Sequence, residues 1–163
     1  MPLDGRKVDD GWESAVEQVY ARRARQLWDY ARRLGLDAGR SEEVAQEAFT
    51  RLLCLESVDR PRDPDAWLFR VAHNLAVDAH RQSRRGQLRP VQEPPATPDL
   101  VERLVVWQAV ERLPERQRAA VYLRFRADFD YATIAKILDI SESGARANVF
   151  RALARLREWM EDR

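Results

Sequence analysis

The sequence predicts an all-α protein of two small helical domains joined by a proline-rich linker, with a helix-turn-helix in the second domain. Apolar residues recur at helical spacing in two long stretches, and no run of alternating β-branched residues interrupts them. Between the two stretches the chain is rich in proline, which is incompatible with a continuing helix. With 163 residues and 45% hydrophobic content, the chain is long enough for two compact domains.

The first domain, residues 1–85, is expected to contain three helices. Gly35 should end the first, whose inward residues are Val16, Tyr20, Leu27, Ala31 and Leu34. Ser41 should cap the second, whose inward residues are Val44, Ala45, Ala48, Leu52 and Leu55. After a turn-rich stretch at 56–64, the third should run from Pro64 to about Arg84. Its inward residues are Leu68, Val71, Ala72, Leu75, Ala76 and Ala79.

After the linker at 86–99, the second domain, residues 100–163, should contain helices at 100–111, 115–125, 131–138 and 142–160. Asp130 and Ser141 are candidate caps for the last two helices, and Asp139 can close the tight turn between them. A short helix, a tight turn and a second capped helix form a helix-turn-helix pattern. The residues of the last helix expected to face inward are Ala145, Val149, Ala152, Leu153, Leu156 and Met160.

The opposite face of the last helix is a candidate surface for duplex DNA. Its candidate DNA-binding residues are Arg146, Ala147, Asn148, Phe150, Arg151 and Arg155. An outward phenylalanine beside arginines suits contact with thymine methyl groups, guanine edges and phosphates. The alternative is a solvated arginine face on an ordinary helix, with Phe150 buried in a core.

The outer stripe of the third helix is a candidate surface for unstacked single-stranded bases. Its members are Trp67, Arg70, Asn74, Asp78, Arg81, Arg84 and Arg85. Arginine near an aromatic ring, with amide and carboxylate groups able to bond base edges, suits that ligand. The alternative is a solvated helix end with Trp67 in the core.

Composition argues against several other classes of protein. No apolar run approaches the roughly 20 residues that a membrane crossing needs, so we expect no membrane insertion and a cytoplasmic location. Cys54, the only cysteine, excludes an internal disulfide, and we interpret it as a half-buried helix residue. His73 and His80 are seven residues apart, which does not suit paired metal ligands, and no nucleotide-binding or nucleophile motif is present. We therefore expect no enzyme activity, no metal and no cofactor.

Four segments in order, 41–49, 65–78, 111–118 and 130–146, resemble the extracytoplasmic-function (ECF) subgroup of bacterial RNA polymerase sigma factors. The resemblance implies an alternative sigma factor that binds core RNA polymerase and directs it to promoters. It implies that the second helix docks on the clamp of the largest subunit, through Glu43, Gln46, Glu47, Thr50 and Leu53. It further implies single-stranded −10 DNA on the third helix, duplex −35 DNA on the last helix, and the polymerase flap region as a partner of the second domain. Regulation by an anti-sigma factor is also expected.

Two other classes of protein remain as alternatives. An autonomous helix-turn-helix transcriptional regulator would use the same reading helix, but such proteins usually dimerise to span two half-sites. No segment here resembles a dimerisation helix. A helical bundle that binds only proteins would not bind DNA even with polymerase present. The net charge of +1 predicts weak binding of duplex DNA by either domain alone.

Overall fold

Every regular element in the computed structural model is helical within the residues it describes, 10–82 and 98–162, as the sequence predicts. The seven α-helices in those ranges are α1 (Asp10–Arg33), α2 (Ala38–Leu53), α3 (Pro64–Gln82), α4 (Pro98–Val110), α5 (Glu115–Phe125), α6 (Tyr131–Leu138) and α7 (Glu142–Glu161). A short 3₁₀-helix, Ser57–Asp59, lies in the turn-rich stretch between α2 and α3. Because α4 begins at Pro98, the last two residues of the predicted linker are helical, and residues 86–97 lie outside the described ranges.

The start of α2 differs from the prediction. Gly35 follows α1 with a φ of 97°, which glycine tolerates, and so ends that helix as expected. Asp37 then takes an extended conformation, and its carboxylate accepts a 2.8 Å hydrogen bond from the backbone N–H of Arg40. The cap is therefore Asp37, and the prediction of Ser41 is wrong. Ser41 is buried one turn inside the helix.

Some residues predicted to face inward are exposed. The exposed fractions are 58% for Tyr20, 37% for Leu153 and 43% for Met160, so these three predictions are wrong. Tyr20 lies at the edge of the interface between α1 and α2, where its ring packs edge-on against Phe49 at a centroid distance of 4.9 Å. Helical spacing gives the direction of a side chain, but whether a neighbouring helix covers it depends on the tertiary fold.

Both predicted domains share one continuous hydrophobic core. Tyr30 of α1 lies with its ring centroid 5.6 Å from that of Phe69 on α3 and 5.4 Å from that of Tyr122 on α5. Phe69 in turn packs edge-on against Phe129, which precedes α6, at 5.2 Å. The two halves of the chain therefore pack face to face through aromatic rings.

Polar contacts surround this aromatic junction. The guanidinium of Arg33 lies 2.6 Å from the carboxylate of Glu111, and the guanidinium of Arg23 donates to the carbonyl of Ala127 at 2.9 Å. The hydroxyl of Tyr122 donates to the carbonyl of Gln26 at 3.0 Å. Burial raises the pKa of Tyr122 above its ordinary value and raises the pKa of Glu111 as well, although Arg33 opposes the second shift.

Candidate nucleic-acid interfaces

The helix-turn-helix is fixed by two side-chain caps and one left-handed residue. Asp130 accepts from the backbone N–H of Thr133 at 2.8 Å, and hydrogen bonding from Thr133 lowers the pKa of this carboxyl group. Ser141 accepts from the N–H of Gly144 at 3.0 Å, so both predicted caps are confirmed. Asp139 has a φ of 55°, which gives the sharp turn between α6 and α7. These local features orient α7 against α6.

The outer face of α7 points into solvent. Phe150 is 65% exposed, so it belongs to no core in the described structure. Arg151 and Arg155 are also exposed. Ala147 and Asn148 are half-buried, and the side-chain amide of Asn148 donates to the carbonyl of Gly144 at 2.9 Å. The exposed face therefore combines an aromatic ring with arginines.

Arg146, also on this face, has more partners than the sequence pattern indicated. Its guanidinium lies 2.9 Å from the carboxylate of Glu142 and stacks over the ring of Tyr131. Arg124 stacks over the same ring. Tyr131 and Arg124 were not among the predicted site residues, because nothing in the spacing of the sequence links residue 124 to residue 146.

The outer stripe of α3 is exposed at four of the predicted positions and less so at a fifth. The exposed members are Arg70, Asn74, Asp78 and Arg81. Trp67 is half-buried and packs against the core, so only part of its ring can contribute to a surface. Arg84 and Arg85 lie outside the described residues.

A cleft of about 570 Å³ lies between α3 and the second half of the chain. Asn74 and Arg81 line one side, and Glu115 and Asp139 line the other. His73 also lines it, with its Nδ1 atom 2.8 Å from the hydroxyl of Tyr30, and burial lowers the pKa of this histidine. The candidate single-strand surface is thus partly enclosed in this arrangement.

The outer face of α2 presents all of the predicted polymerase-contacting residues to solvent. Glu43, Gln46, Glu47 and Thr50 are exposed, and Leu53 is 46% exposed. Ion pairing and hydrogen bonding on this face are local, since Gln46 donates to Glu42 at 3.1 Å and Arg51 donates to Glu47 at 2.9 Å. Such exposed pairs contribute little stability and can exchange for contacts with a partner.

Two further features flank this face. A groove of about 380 Å³ between α1 and α2 is lined by Tyr20, Trp28 and Phe49, which the sequence patterns did not indicate as a surface. Cys54 follows α2 and is exposed, so its interpretation as a half-buried residue is wrong.

Among the described helices, none combines the length and apolar character needed to cross a membrane.

Comparison with known proteins places the chain in a family. Residues 19–86 match the family model for sigma-70 region 2, and residues 103–156 match that for sigma-70 region 4. The two matches together cover most of the chain, in the order expected of a sigma factor. The chain belongs to the ECF sigma factors. The region 2 match contains α2 and α3, and the region 4 match contains the helix-turn-helix.

Similar curated proteins include the ECF RNA polymerase sigma factor SigL of Mycobacterium tuberculosis, 29% identical to this sigma factor over 158 residues. That alignment covers 90% of this chain and 89% of SigL. The ECF sigma factor SigM of Bacillus subtilis is 25% identical over 154 residues, covering 87% of this chain and 93% of SigM.

Two solved structures share the fold of this sigma factor. CnrH in complex with the cytosolic domain of CnrY has a TM-score of 0.66 at 23% identity and covers 94% of this chain and 92% of CnrH. The sigma factor RpoE of Bartonella quintana, in complex with the anti-sigma factor NepR, has a TM-score of 0.71 at 21% identity. That match covers 89% of this chain and 96% of RpoE.

Family membership establishes the general function. The chain is an alternative sigma factor that directs RNA polymerase to promoters, and its partners are RNA polymerase and promoter DNA. Sigma factors are transcription initiation factors and not enzymes, so the family confirms the prediction that the chain is not an enzyme.

Proposed function

We propose that this sigma factor uses three separate surfaces: the outer face of α2 for the core polymerase clamp, α3 for the −10 element, and α7 for the −35 element. The division into a first domain at 1–85, a linker at 86–99 and a second domain at 100–163 is part of this proposal. The observation that carries it is the exposed face of α7, where Phe150 and arginines point into solvent from a capped helix-turn-helix.

The α2 face supports the polymerase contact because its polar side chains are exposed and engaged only within their own helix. Gln46→Ala combined with Glu47→Ala should weaken binding to core polymerase without unfolding the protein. Glu13→Ala with Glu17→Ala, on the exposed side of α1, is the matched control. Binding is measured by co-migration of the full chain with purified core polymerase on a sizing column. Equal affinities for the two double variants would move the docking surface elsewhere.

The α7 face supports −35 recognition because arginine can read guanine edges and phenylalanine can contact thymine methyl groups. Arg151→Ala should reduce promoter use by roughly 1–3 kcal/mol and leave polymerase binding unchanged. Arg157→Ala, exposed on the same helix but outside the predicted set, is the control. If Arg151→Ala reduced promoter use and polymerase binding together, the assignment of α7 as the reader would be wrong.

The packing of the two halves bears on how the promoter is bound. The −10 and −35 elements are named for positions about 25 base pairs apart, which corresponds to roughly 85 Å at 3.4 Å per base pair. Asn74 on the −10 surface and Asp139 in the helix-turn-helix line the same cleft, so this arrangement holds the two proposed surfaces close together. The two halves therefore have to separate when both elements are bound. A fluorescence distance measurement between the halves, in the free chain and in the promoter complex, tests this step.

A further proposal follows from one of the similar structures. NepR, bound to RpoE of Bartonella quintana, is an anti-sigma factor, and we infer that an anti-sigma factor also binds this chain. Contact of the second domain with the polymerase flap region and a cytoplasmic location complete the proposed function. If the folded full chain forms no complex with core polymerase near physiological salt, the proposed surfaces fail as a set.

A further inference from the structure

Three side chains from three helices stack at the edge of the helix-turn-helix. Tyr131 is the first residue of α6, Arg124 lies in the last turn of α5, and Arg146 lies in α7. The Cζ atom of Arg124 is 4.9 Å from the centre of the Tyr131 ring, and that of Arg146 is 5.0 Å from it. Both distances are within the range of cation–π attraction. One ring therefore contacts two cations, and one of these cations belongs to the proposed −35 surface.

Both guanidinium groups have a second attachment. Nη1 of Arg124 donates to the carbonyl of Phe129 at 3.1 Å, which holds this arginine against the turn between α5 and α6. Nη2 of Arg146 donates to the carboxylate of Glu142 at 2.9 Å. The side chain of Arg146 remains 53% exposed. Because a guanidinium has five N–H donors, Arg146 can keep the Glu142 contact and still present donors to a base edge.

Orientation matters for an arginine that reads a base. A free arginine side chain has many rotamers, and fixing one of them on DNA costs conformational entropy. A stack that already holds the guanidinium plane lowers that cost at the moment of binding. Tyr131 is only half-buried, so its ring is available to stack at the surface as well as to pack against the core.

We propose that Tyr131 is a positioning residue that orients Arg146 to read one base pair of the −35 element, with Arg124 supporting the ring. The inference rests on the proposed function, because it needs α7 to be the −35 reader. Tyr131 acts here through Arg146 and not by its own contact with DNA. Its loss should consequently alter sequence preference at a single position.

The test uses the complex of the full chain with core polymerase on a promoter library in which the −35 element is randomised. Sequencing the transcribed templates gives the base preference at each position. Arg146→Ala should flatten the preference at one position by about 5- to 150-fold. Tyr131→Leu, which removes the ring, should flatten that same position by about 2- to 5-fold. Tyr131→Phe keeps the ring and should retain the preference.

A double variant separates positioning from a general structural role. In the Arg146→Ala background, Tyr131→Leu should have no further effect on the preference at that position. A uniform loss at all positions, or a further loss at that position in the double variant, would overturn the inference. Tyr131→Met replaces Tyr131→Leu if the latter does not fold. If Arg146→Ala changes no preference, the assignment of α7 residues fails as well; if only Tyr131→Leu is without effect, the positioning role alone fails.

Discussion

Replacing Arg33 by methionine tests how the two halves of the chain are held together. The Arg33 side chain is 3% exposed, and its guanidinium lies 2.6 Å from the Glu111 carboxylate and 5.1 Å from the centre of the Trp107 ring. Arg33→Met keeps much of the side-chain volume but leaves Glu111 without this cation. Removing one partner of a buried pair costs about 3–5 kcal/mol. Glu111 is 24% exposed, so water can reach it, and we expect a loss near the lower limit, about 3 kcal/mol.

The free energy of unfolding is measured by urea titration followed by tryptophan fluorescence. In thermal unfolding, the midpoint of Arg33→Met should lie about 6–12 °C below that of the unsubstituted chain. Arg51→Met is the matched control, because Arg51 pairs with Glu47 at 2.9 Å but both side chains are about half exposed. Arg51→Met should lower the free energy of unfolding by no more than about 0.5 kcal/mol. Equal losses for the two variants would refute the argument that burial makes the Arg33 pair important.

The pH dependence gives the same prediction a second test. Burial raises the pKa of Glu111 above its ordinary value of 4.5, so the folded chain binds more protons there than the unfolded chain. The stability that comes from this extra proton binding is fully present below pH 4.5 and is lost as the pH rises through the pKa of Glu111 in the folded chain. Arg33 opposes the shift, so Arg33→Met should be more destabilising at about pH 8 than at about pH 5. The opposite order would contradict the assigned cause.

Three further predictions concern individual side chains. Leu52→Ala removes a fully buried side chain and should cost about 2–5 kcal/mol. Leu53→Ala, at an exposed neighbour, should stay within about 0.5 kcal/mol, and urea unfolding compares the two. Ser141→Ala removes the cap of α7 and should cost about 1 kcal/mol, whereas Ser141→Asp can accept the same bond; thermal unfolding measures both. Burial lowers the pKa of His73 below its ordinary value of 6.5. The neutral His73 side chain therefore contributes to the free energy of unfolding above pH 6.5, and this contribution should be lost as the pH falls through the pKa of the folded chain. His73→Gln should flatten this dependence, and an unchanged slope in urea titrations across the acid range would contradict the shift.

Features set by neighbouring residues were predictable from the sequence. The caps at Asp130 and Ser141, the turn at Asp139 and the end of α1 at Gly35 depend on interactions over three or four positions, and the structure has all of them. The sequence pattern does not distinguish Ser41 from Asp37 as the cap of α2, because both residue types suit that position. The choice depends on where the chain leaves the turn after Gly35.

Features set by tertiary contacts were not predictable in the same way. Arg33 is the last residue of α1 and Glu111 directly follows α4, so the two are far apart in sequence. Each has other charged residues near it, and nothing in the sequence pattern pairs them. The stack of Arg124 and Arg146 on Tyr131 joins residues of three helices, and no spacing within one helix pairs them. Helical spacing predicts the DNA-facing side of α7, and four of its six candidate residues are exposed while Ala147 and Asn148 are half-buried. Their contacts with DNA stay a prediction.

The exposed position of Cys54 has a practical consequence. It is the only cysteine in the sequence, and it lies immediately after Leu53 at the end of α2. A thiol-reactive fluorophore would therefore label the native chain at one defined place, without substitutions, next to the surface proposed to meet polymerase. The emission of that fluorophore would report docking in real time, and its quenching would give an association rate for each variant.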